Sequence, residues 1–253
     1  KVSAYREFAA LYDELMDDIP YDEWAKRYER LIGLRPGMRV AEMGCGTGAF
    51  SVRLARDGAK LVATDLSQEM IERAQVRARE AGAGVQFAVM DMERFALPRK
   101  VEAVFCACDG VNYLTSLDKV RRCFAGVFES LKPGGRFAFD ISGPAKLKGM
   151  AGQMYGEDRE NVTYVWMNHW QGDPSRRLLK MALTFFVRQE DGLYRRFDEE
   201  HVQRAHEAEE LVGALRQAGF ENIETFSGLT DQPARPDDAR IHFRAVKPDG
   251  REK

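Results

Sequence analysis

Apolar residues along the chain change their spacing several times, and each change marks an element. Near the start, Phe8, Leu11, Tyr12 and Leu15 share one helical stripe, and Trp24, Tyr28, Leu31 and Ile32 share another. Asp17-Asp18-Ile19-Pro20 breaks between them, and Leu34-Arg35-Pro36-Gly37 reads as a turn. Short apolar runs then alternate with helical stripes. Residues 39–43, 61–64, 85–90, 101–107 and 137–141 predict five strands, the first of them buried. The helices between them are Phe50 to Asp57, closed by Gly58, and one capped by Ser67 that buries Met70, Ile71, Ala74, Ala78 and Ala81 before Gly82. A third carries Leu117, Val120, Phe124, Val127 and Leu131, stopped by Lys132-Pro133-Gly134-Gly135. Strands alternating with helices in this way predict right-handed βαβ units and a doubly wound, mostly parallel α/β sheet with helices on both faces.

From Ser142 the pattern changes. Residues 142–161 are rich in Gly and weakly periodic, which predicts a loop or a short helix. Residues 162–170, 178–188 and 194–204 then read as three consecutive strands, with turns at Gly172-Asp173-Pro174-Ser175 and Asp191-Gly192. Strands joined so closely pair antiparallel, so an antiparallel β insert is expected after the fifth strand. Residues 207–218 return to a helix closed by Gly219, and 223–226 and 241–246 supply two last core strands. The charged tail from Lys247 to Lys253 is expected to fray.

Composition narrows the class. Hydrophobic residues at 44% and charged residues at 31% describe an ordinary globular chain, and no apolar run approaches the roughly 18 residues a membrane span needs. A net charge of −2 argues against a surface built to hold many phosphates, so nucleic acid is disfavoured as a partner. Cys45, Cys106, Cys108 and Cys123 form no C-x-x-C pair, and no His stands at finger-like spacing, so neither a metal site nor a disulfide scaffold is expected. Reduced thiols, with no charged-then-apolar leader at Lys1 to Tyr5, point to the cytoplasm, and a monomer or homodimer is expected.

The chemistry concentrates at Glu42-Met43-Gly44-Cys45-Gly46-Thr47-Gly48, where the first strand ends. Glycines at alternate positions admit φ > 0 and let backbone approach a ligand, and the next helix aims its N-terminal amides there. Asp65 ends the second strand about 20 residues on, where an acidic side chain can accept ribose hydroxyls. Asp91 ends the third strand, where a carboxylate can accept an adenine amino group. Either aspartate could instead cap a turn. The third glycine comes one position too early for the dinucleotide fingerprint. Glu42, read as lying at the loop's mouth, would oppose a diphosphate and favour a ligand carrying a sulfonium and an ammonium. A nicotinamide-dependent oxidoreductase and a non-catalytic adenosyl-binding module are the competing readings.

Val40-Ala41-Glu42-Met43-Gly44-Cys45-Gly46-Thr47-Gly48 resembles motif I of class I S-adenosylmethionine-dependent methyltransferases. Thr64-Asp65-Leu66-Ser67 and Met90-Asp91-Met92 resemble the ribose and adenine positions of that family, and Leu131 to Gly135 its turn before the fifth strand. Tyr5 to Asp13 with Tyr21-Asp22-Glu23-Trp24 is similar to the N-terminal helices of small-molecule members, including sugar N,N-dimethyltransferases. The resemblance implies a Rossmann-like core over 38–145 and 205–247, an acceptor-binding insert over 146–204, and a helical lid over 1–37. It implies S-adenosylmethionine as methyl donor, held by Tyr12, Tyr21, Glu42, Gly44, Cys45, Gly46, Gly48, Asp65, Leu66, Met70, Asp91, Met92 and Cys108. The departure is Val101-Glu102-Ala103-Val104, where the family has Phe-Asp before the fourth strand.

Methyl transfer is an in-line displacement, and a base is needed only for a protonated acceptor. The fourth strand ends in Cys108-Asp109-Gly110-Val111-Asn112-Tyr113, beside the expected methyl position. It lacks the paired prolines of nucleobase amino methyltransferases, and Cys108 does not follow a proline as the nucleophile of cytosine-C5 enzymes does. A small-molecule acceptor is therefore expected, with RNA or protein as the alternative. Asp109 can orient, act as a base, or cap the turn. Cys108 is a buried filler or a nucleophile, and Tyr113 walls the acceptor or simply packs. His169 and His201 are candidate bases in the insert.

Overall fold

A computed structural model describes residues 9, 11–16, 19–171, 173 and 176–250. Phe8, Tyr5 to Phe8 of the lid resemblance, the Asp17-Asp18 break, three residues of the Gly172 to Ser175 turn, and 251–253 lie outside them. The order of elements is α1 (Tyr12–Leu15), α2 (Tyr21–Ile32), β1 (Arg39–Met43), α3 (Ala49–Arg56), β2 (Lys60–Asp65), α4 (Gln68–Glu80), β3 (Val85–Val89) and β4 (Val101–Cys106). There follow α5 (Leu117–Ser130), β5 (Leu131–Ser142), α6 (Pro144–Gly149), β6 (Met154–Asp158), β7 (Val162–Gln171), β8 (Leu178–Arg188), β9 (Tyr194–Arg204), α7 (Ala208–Ala218), β10 (Glu221–Ser227) and β11 (Arg240–Val246).

The main sheet has the order β10-β11-β5-β4-β1-β2-β3. β5, β4, β1, β2 and β3 run parallel, while β11 lies antiparallel between β5 and β10. Alternation along each central strand feeds two cores. Ala41, Met43, Val104, Cys106, Phe137 and Phe139 pack against Val120, Phe124 and Val127 of α5 and Leu211 and Leu215 of α7. Val40, Ala103, Phe105 and Ala138 face the other way, onto Tyr28 and Leu31 of α2, Phe50 and Leu54 of α3, and Ile71 of α4. Phe139 and Phe243 are paired in register and stack at 4.6 Å, locking the antiparallel β11 onto the parallel strands.

Three expectations are corrected. The insert has four strands in the order β6-β7-β8-β9, not three. Every residue of β6 is exposed, so no buried alternation marks it in the sequence. The glycine-rich turn before the fifth strand sits within β5: the register against β4 slips between Val101 and Ala103, taking up the extra residues. Lys247 is tied down, its N–H donating to the Gly135 carbonyl at 2.8 Å and its ammonium to the Phe128 carbonyl at 2.6 Å.

Strand order reverses between β1 and β4. That topological switch point puts the tips of both strands beside one crevice.

Candidate active site

The loop after β1 is built for close approach. Gly44, Gly46 and Gly48 have φ of +64°, +52° and +78°. A Cβ on Gly48 would stand 2.9 Å from the Ala74 Cβ, so this glycine lets the loop seat against α4. One on Gly46 would project toward the Tyr12 ring, 4.0 Å away, which places Tyr12 over the loop. Gly44 lies above Met92 and Cys106. Cys45 is buried and its N–H donates to the Thr64 carbonyl at 2.9 Å. Burial, with Glu42 and then Asp65 nearby, pushes its thiol well up, so it acts as a neutral spacer.

Asp65 braces this loop. One carboxylate oxygen accepts from the Gly46 N–H at 2.9 Å and the other from the Ser67 N–H at 2.9 Å. Burial raises its pKa while these amides pull it down. Leu66, 65% exposed, flanks it at the strand tip, whereas Met70 is buried at the start of α4 with its N–H on the Ser67 hydroxyl. Asp91 accepts from the Glu93 N–H at 2.9 Å, the capping role that the sequence left open, and Met92 packs half-buried beneath the loop.

Glu42 differs from its expected place. It does not stand at the mouth: its side chain turns into the fold, is 1% exposed, and accepts from the Ser51 hydroxyl. A carboxyl taken out of water resists ionisation, and burial pushes its pKa up to about 8, with the Asp65 charge adding to the rise. With Glu42 turned inward, the acidic groups left at the strand tips are Asp65 and Asp91.

The N-terminal helix α1 is tied to this loop. Thr47 donates its hydroxyl to Asp13 at 2.6 Å, and Arg77 of α4 pairs with Asp13 at 2.5 Å, tying α1 to the loop and to the core. Burial raises the Tyr12 hydroxyl well above its ordinary value, with Cys108, Tyr21, Tyr113 and Asp109 adding to the rise. Tyr21 packs edge-on against Phe50 at 5.2 Å beneath the Arg53 guanidinium.

At the β4 tip, Cys108 and Asp109 both take positive φ, +55° and +52°. Two successive non-glycine residues in this region are strained and persist only where surroundings over-determine them. Here they do. The Asp109 N–H donates to Asp140 at 3.0 Å, and its carboxylate accepts from Arg240 and from Gln203, both at 2.7 Å. Asn112, in the 3-10 turn Gly110–Tyr113, bonds to Ser142 in both directions and to the Arg204 carbonyl. Asp140 itself is fully buried and accepts from Tyr28 and Arg240. Burial alone would raise its pKa, but Arg240 and then His242 outweigh burial and hold it low.

These contacts bear on several open roles. Both Asp109 carboxylate oxygens are already engaged, one by Arg240 and the other by Gln203. Burial, with Asp140 and Asp109 nearby, keeps the Cys108 thiol protonated, which fits a filler and not a nucleophile. His169 is not brought to the crevice: on β7 it is exposed, on the face opposite Trp166, Asn168 and Trp170. His201 is brought there, buried on β9, with its Nδ1 3.1 Å from the Tyr113 hydroxyl. Sequence reasoning missed Tyr28, Asp140, Gln203 and Arg240. One signal was present: Glu199, His201 and Gln203 put polar groups at every second position of a strand whose neighbour β8 is apolar there.

The residues fit S-adenosylmethionine: bare backbone at a strand tip and a carboxylate at each of the next two tips. A methyltransferase domain family matches residues 40–135. A protein of Geobacillus sp. (strain WCH70), named a "Putative methyltransferase", is 32% identical over 247 residues, covering 96% of this chain and 99% of that protein. The crystal structure of an S-adenosylmethionine-dependent methyltransferase from Clostridium acetobutylicum ATCC 824 matches with a TM-score of 0.84 at 30% identity, over 98% of this chain and 100% of the other. The sugar N-methyltransferase KedS8 from Streptoalloteichus sp. ATCC 53650 shares the fold, with a TM-score of 0.76 at 20% identity over 98% and 96% of the two chains. The cofactor is therefore S-adenosylmethionine, not a nicotinamide dinucleotide, and the chain belongs to the class I S-adenosylmethionine-dependent methyltransferases.

Proposed function

We propose that this enzyme methylates a small-molecule acceptor bound between the β4 tip and the inner face of the antiparallel sheet. The observation that carries this reading is the roof of the crevice. Tyr164, Trp166, Trp170, Leu179, Met181, Leu183 and Phe185 form one apolar face, and Leu11, Tyr12 and Leu15 of the lid pack against it. A site roofed by a sheet and a tethered helix suits a compact ligand and leaves little opening for a nucleic-acid strand, in keeping with the net charge of −2. The fold shared with a sugar N-methyltransferase points the same way.

In this reading residues 1–37 are the lid, 38–145 and 205–247 the donor-binding core, and 146–204 the acceptor-binding insert. Asp65 and Asp91 would hold the ribose and adenine, with Gly44 to Gly48 under the methionyl portion. When bound, the donor supplies an electrophilic methyl carbon on a sulfonium. The protein contributes alignment and exclusion of water, and alignment alone can be worth on the order of 7–11 kcal/mol. Asp109, Asn112 and Gln203 hold the β4 tip rigid so that the acceptor meets the methyl in line. The four described cysteines are free thiols and no helix among the described residues is long and apolar enough to cross a membrane, so we place the reaction in the cytoplasm.

The test is transfer of labelled methyl from S-adenosylmethionine into a cell extract separated into small-molecule, RNA and protein fractions. Label is expected in the small-molecule fraction. Label mainly in RNA or protein would overturn the proposal.

A further inference from the structure

The inner face of β9 is anomalous. Phe197, Glu199, His201 and Gln203 point to the same side, and all are buried at 9% exposure or less. Their neighbours on β8, Phe185, Leu183, Met181 and Leu179, are apolar. A sheet does not bury a carboxylate and an imidazole among apolar side chains without giving them partners, because each loses its hydration. Gln203 is accounted for by Asp109. The other two form a line. His201 Nδ1 is hydrogen-bonded to the Tyr113 hydroxyl at 3.1 Å with the two rings edge to face at 6.0 Å, and Nε2 lies 3.3 Å from the Glu199 carboxylate, within ion-pair reach but not aligned for a hydrogen bond. Tyr113 ends the turn that follows β4, whose tip opens at the topological switch point. The line thus runs from a buried carboxylate in the insert to the crevice at the strand tips.

We propose that Glu199, His201 and Tyr113 form a proton relay that takes a proton from the methyl acceptor, and that the acceptor is accordingly a protic nucleophile, an amine or a hydroxyl. The carboxylate of Glu199 beside Nε2 favours the tautomer with hydrogen on Nε2. Nδ1 then carries the lone pair and accepts the Tyr113 O–H, which turns the remaining lone-pair side of the phenol oxygen away from His201. Transfer leaves the acceptor atom with one proton too many: its lone pair forms the bond to methyl carbon, and the carbon–sulfur bond breaks with its electrons on sulfur. The surplus proton passes to Tyr113 Oη as the phenol proton passes to Nδ1, and the imidazolium rests against Glu199. Charge is conserved, since the positive charge leaves sulfur and arrives on His201. Tyr113 is the catalytic residue, because it touches the acceptor; His201 and Glu199 act through it. This inference rests on the proposed methyl transfer to a small molecule.

The test uses labelled-methyl transfer from S-adenosylmethionine to the small-molecule fraction of a cell extract, with the donor varied. Tyr113→Phe and His201→Asn are each expected to lower the maximal rate about 10²-fold or more, the usual scale of acid–base assistance, with the half-saturating donor concentration changed less than about threefold. Binding of S-adenosylhomocysteine, measured by calorimetry, stays as in the wild type and shows that each variant is folded. Tyr113→Phe removes one oxygen and keeps the ring, so it serves if His201→Asn does not fold. Imidazole ¹⁵N spectra of the wild type are expected to show His201 with hydrogen on Nε2, and Glu199→Gln, whose amide can donate, to populate the opposite tautomer. Donor binding and label transfer with unchanged rates in Tyr113→Phe, or an Nδ1–H tautomer in the wild type, would overturn the relay and leave the methyl-transfer reading standing. Absence of donor binding or of label in the small-molecule fraction with the wild type would instead overturn the functional reading beneath it.

Discussion

Replacing Glu42 with Gln tests whether the floor of the donor site holds a neutral carboxyl. Burial lifts this group from its ordinary 4.5 to about 8. Between these values the folded chain binds more protons than the unfolded one, so Glu42 lowers stability as the pH rises. At about 1.4 kcal/mol for each unit of pKa difference, the penalty grows by about 3 kcal/mol between roughly pH 5.5 and 8.5. Gln does not titrate, and its amide oxygen can still accept from Ser51. The stability of Glu42→Gln relative to the wild type is therefore expected to rise by about 3 kcal/mol across that range, or roughly 6–12 °C in melting temperature for a chain of this size. Urea unfolding followed by circular dichroism at both pH values measures it, and subtracting the wild-type curve removes every other titrating group. Parallel curves for the two proteins would refute the argument, because they would mean that Glu42 ionises as freely folded as unfolded.

The donor site and the buried network give further expectations. Asp65→Ala removes the acceptor of the Gly46 and Ser67 amides, and Gly46→Val forces a β-branched residue to φ +52° with its side chain toward Tyr12. Each is expected to weaken S-adenosylhomocysteine binding by about 10²-fold in calorimetry, on the scale of two lost hydrogen bonds to a charged group; unchanged affinity would place the pocket elsewhere. Tyr28→Phe deprives the fully buried Asp140 of a donor and is expected to cost about 1–3 kcal/mol, read as a lower urea midpoint. An unmoved midpoint would show that Arg240 alone satisfies that carboxylate.

The core was legible because its pattern is local. A parallel strand buried on both faces must be an unbroken apolar run, and a helix lying on it must show a stripe, so β1, β2, β4, β5 and α2 to α5 follow from spacing, while the half-exposed edge strand β3 shows only a short β-branched and aromatic run. The glycine loop was legible for a similar reason: positive φ and close backbone approach leave few residue choices, so Gly44, Gly46 and Gly48 announce the ligand. β6 was hidden because an exposed edge strand carries no apolar alternation. Glu42 was misplaced because a sequence shows that a carboxylate exists at a strand end and not which way its side chain turns.

What the sequence determined by itself is therefore the parallel strands, the glycine loop after β1 and the aspartates at the strand tips, each set by neighbours a few residues away. Tertiary structure alone decided that Asp109 is held by Arg240 and Gln203, that His169 faces outward, and that Glu199, His201 and Tyr113 line up toward the crevice. Asp109 lies 94 and 131 positions from Gln203 and Arg240, and Tyr113 lies 88 from His201. Whether such partners meet depends on strand register and on the packing of the insert over β4, because a shift of one residue along β9 would turn His201 to solvent and remove the line altogether.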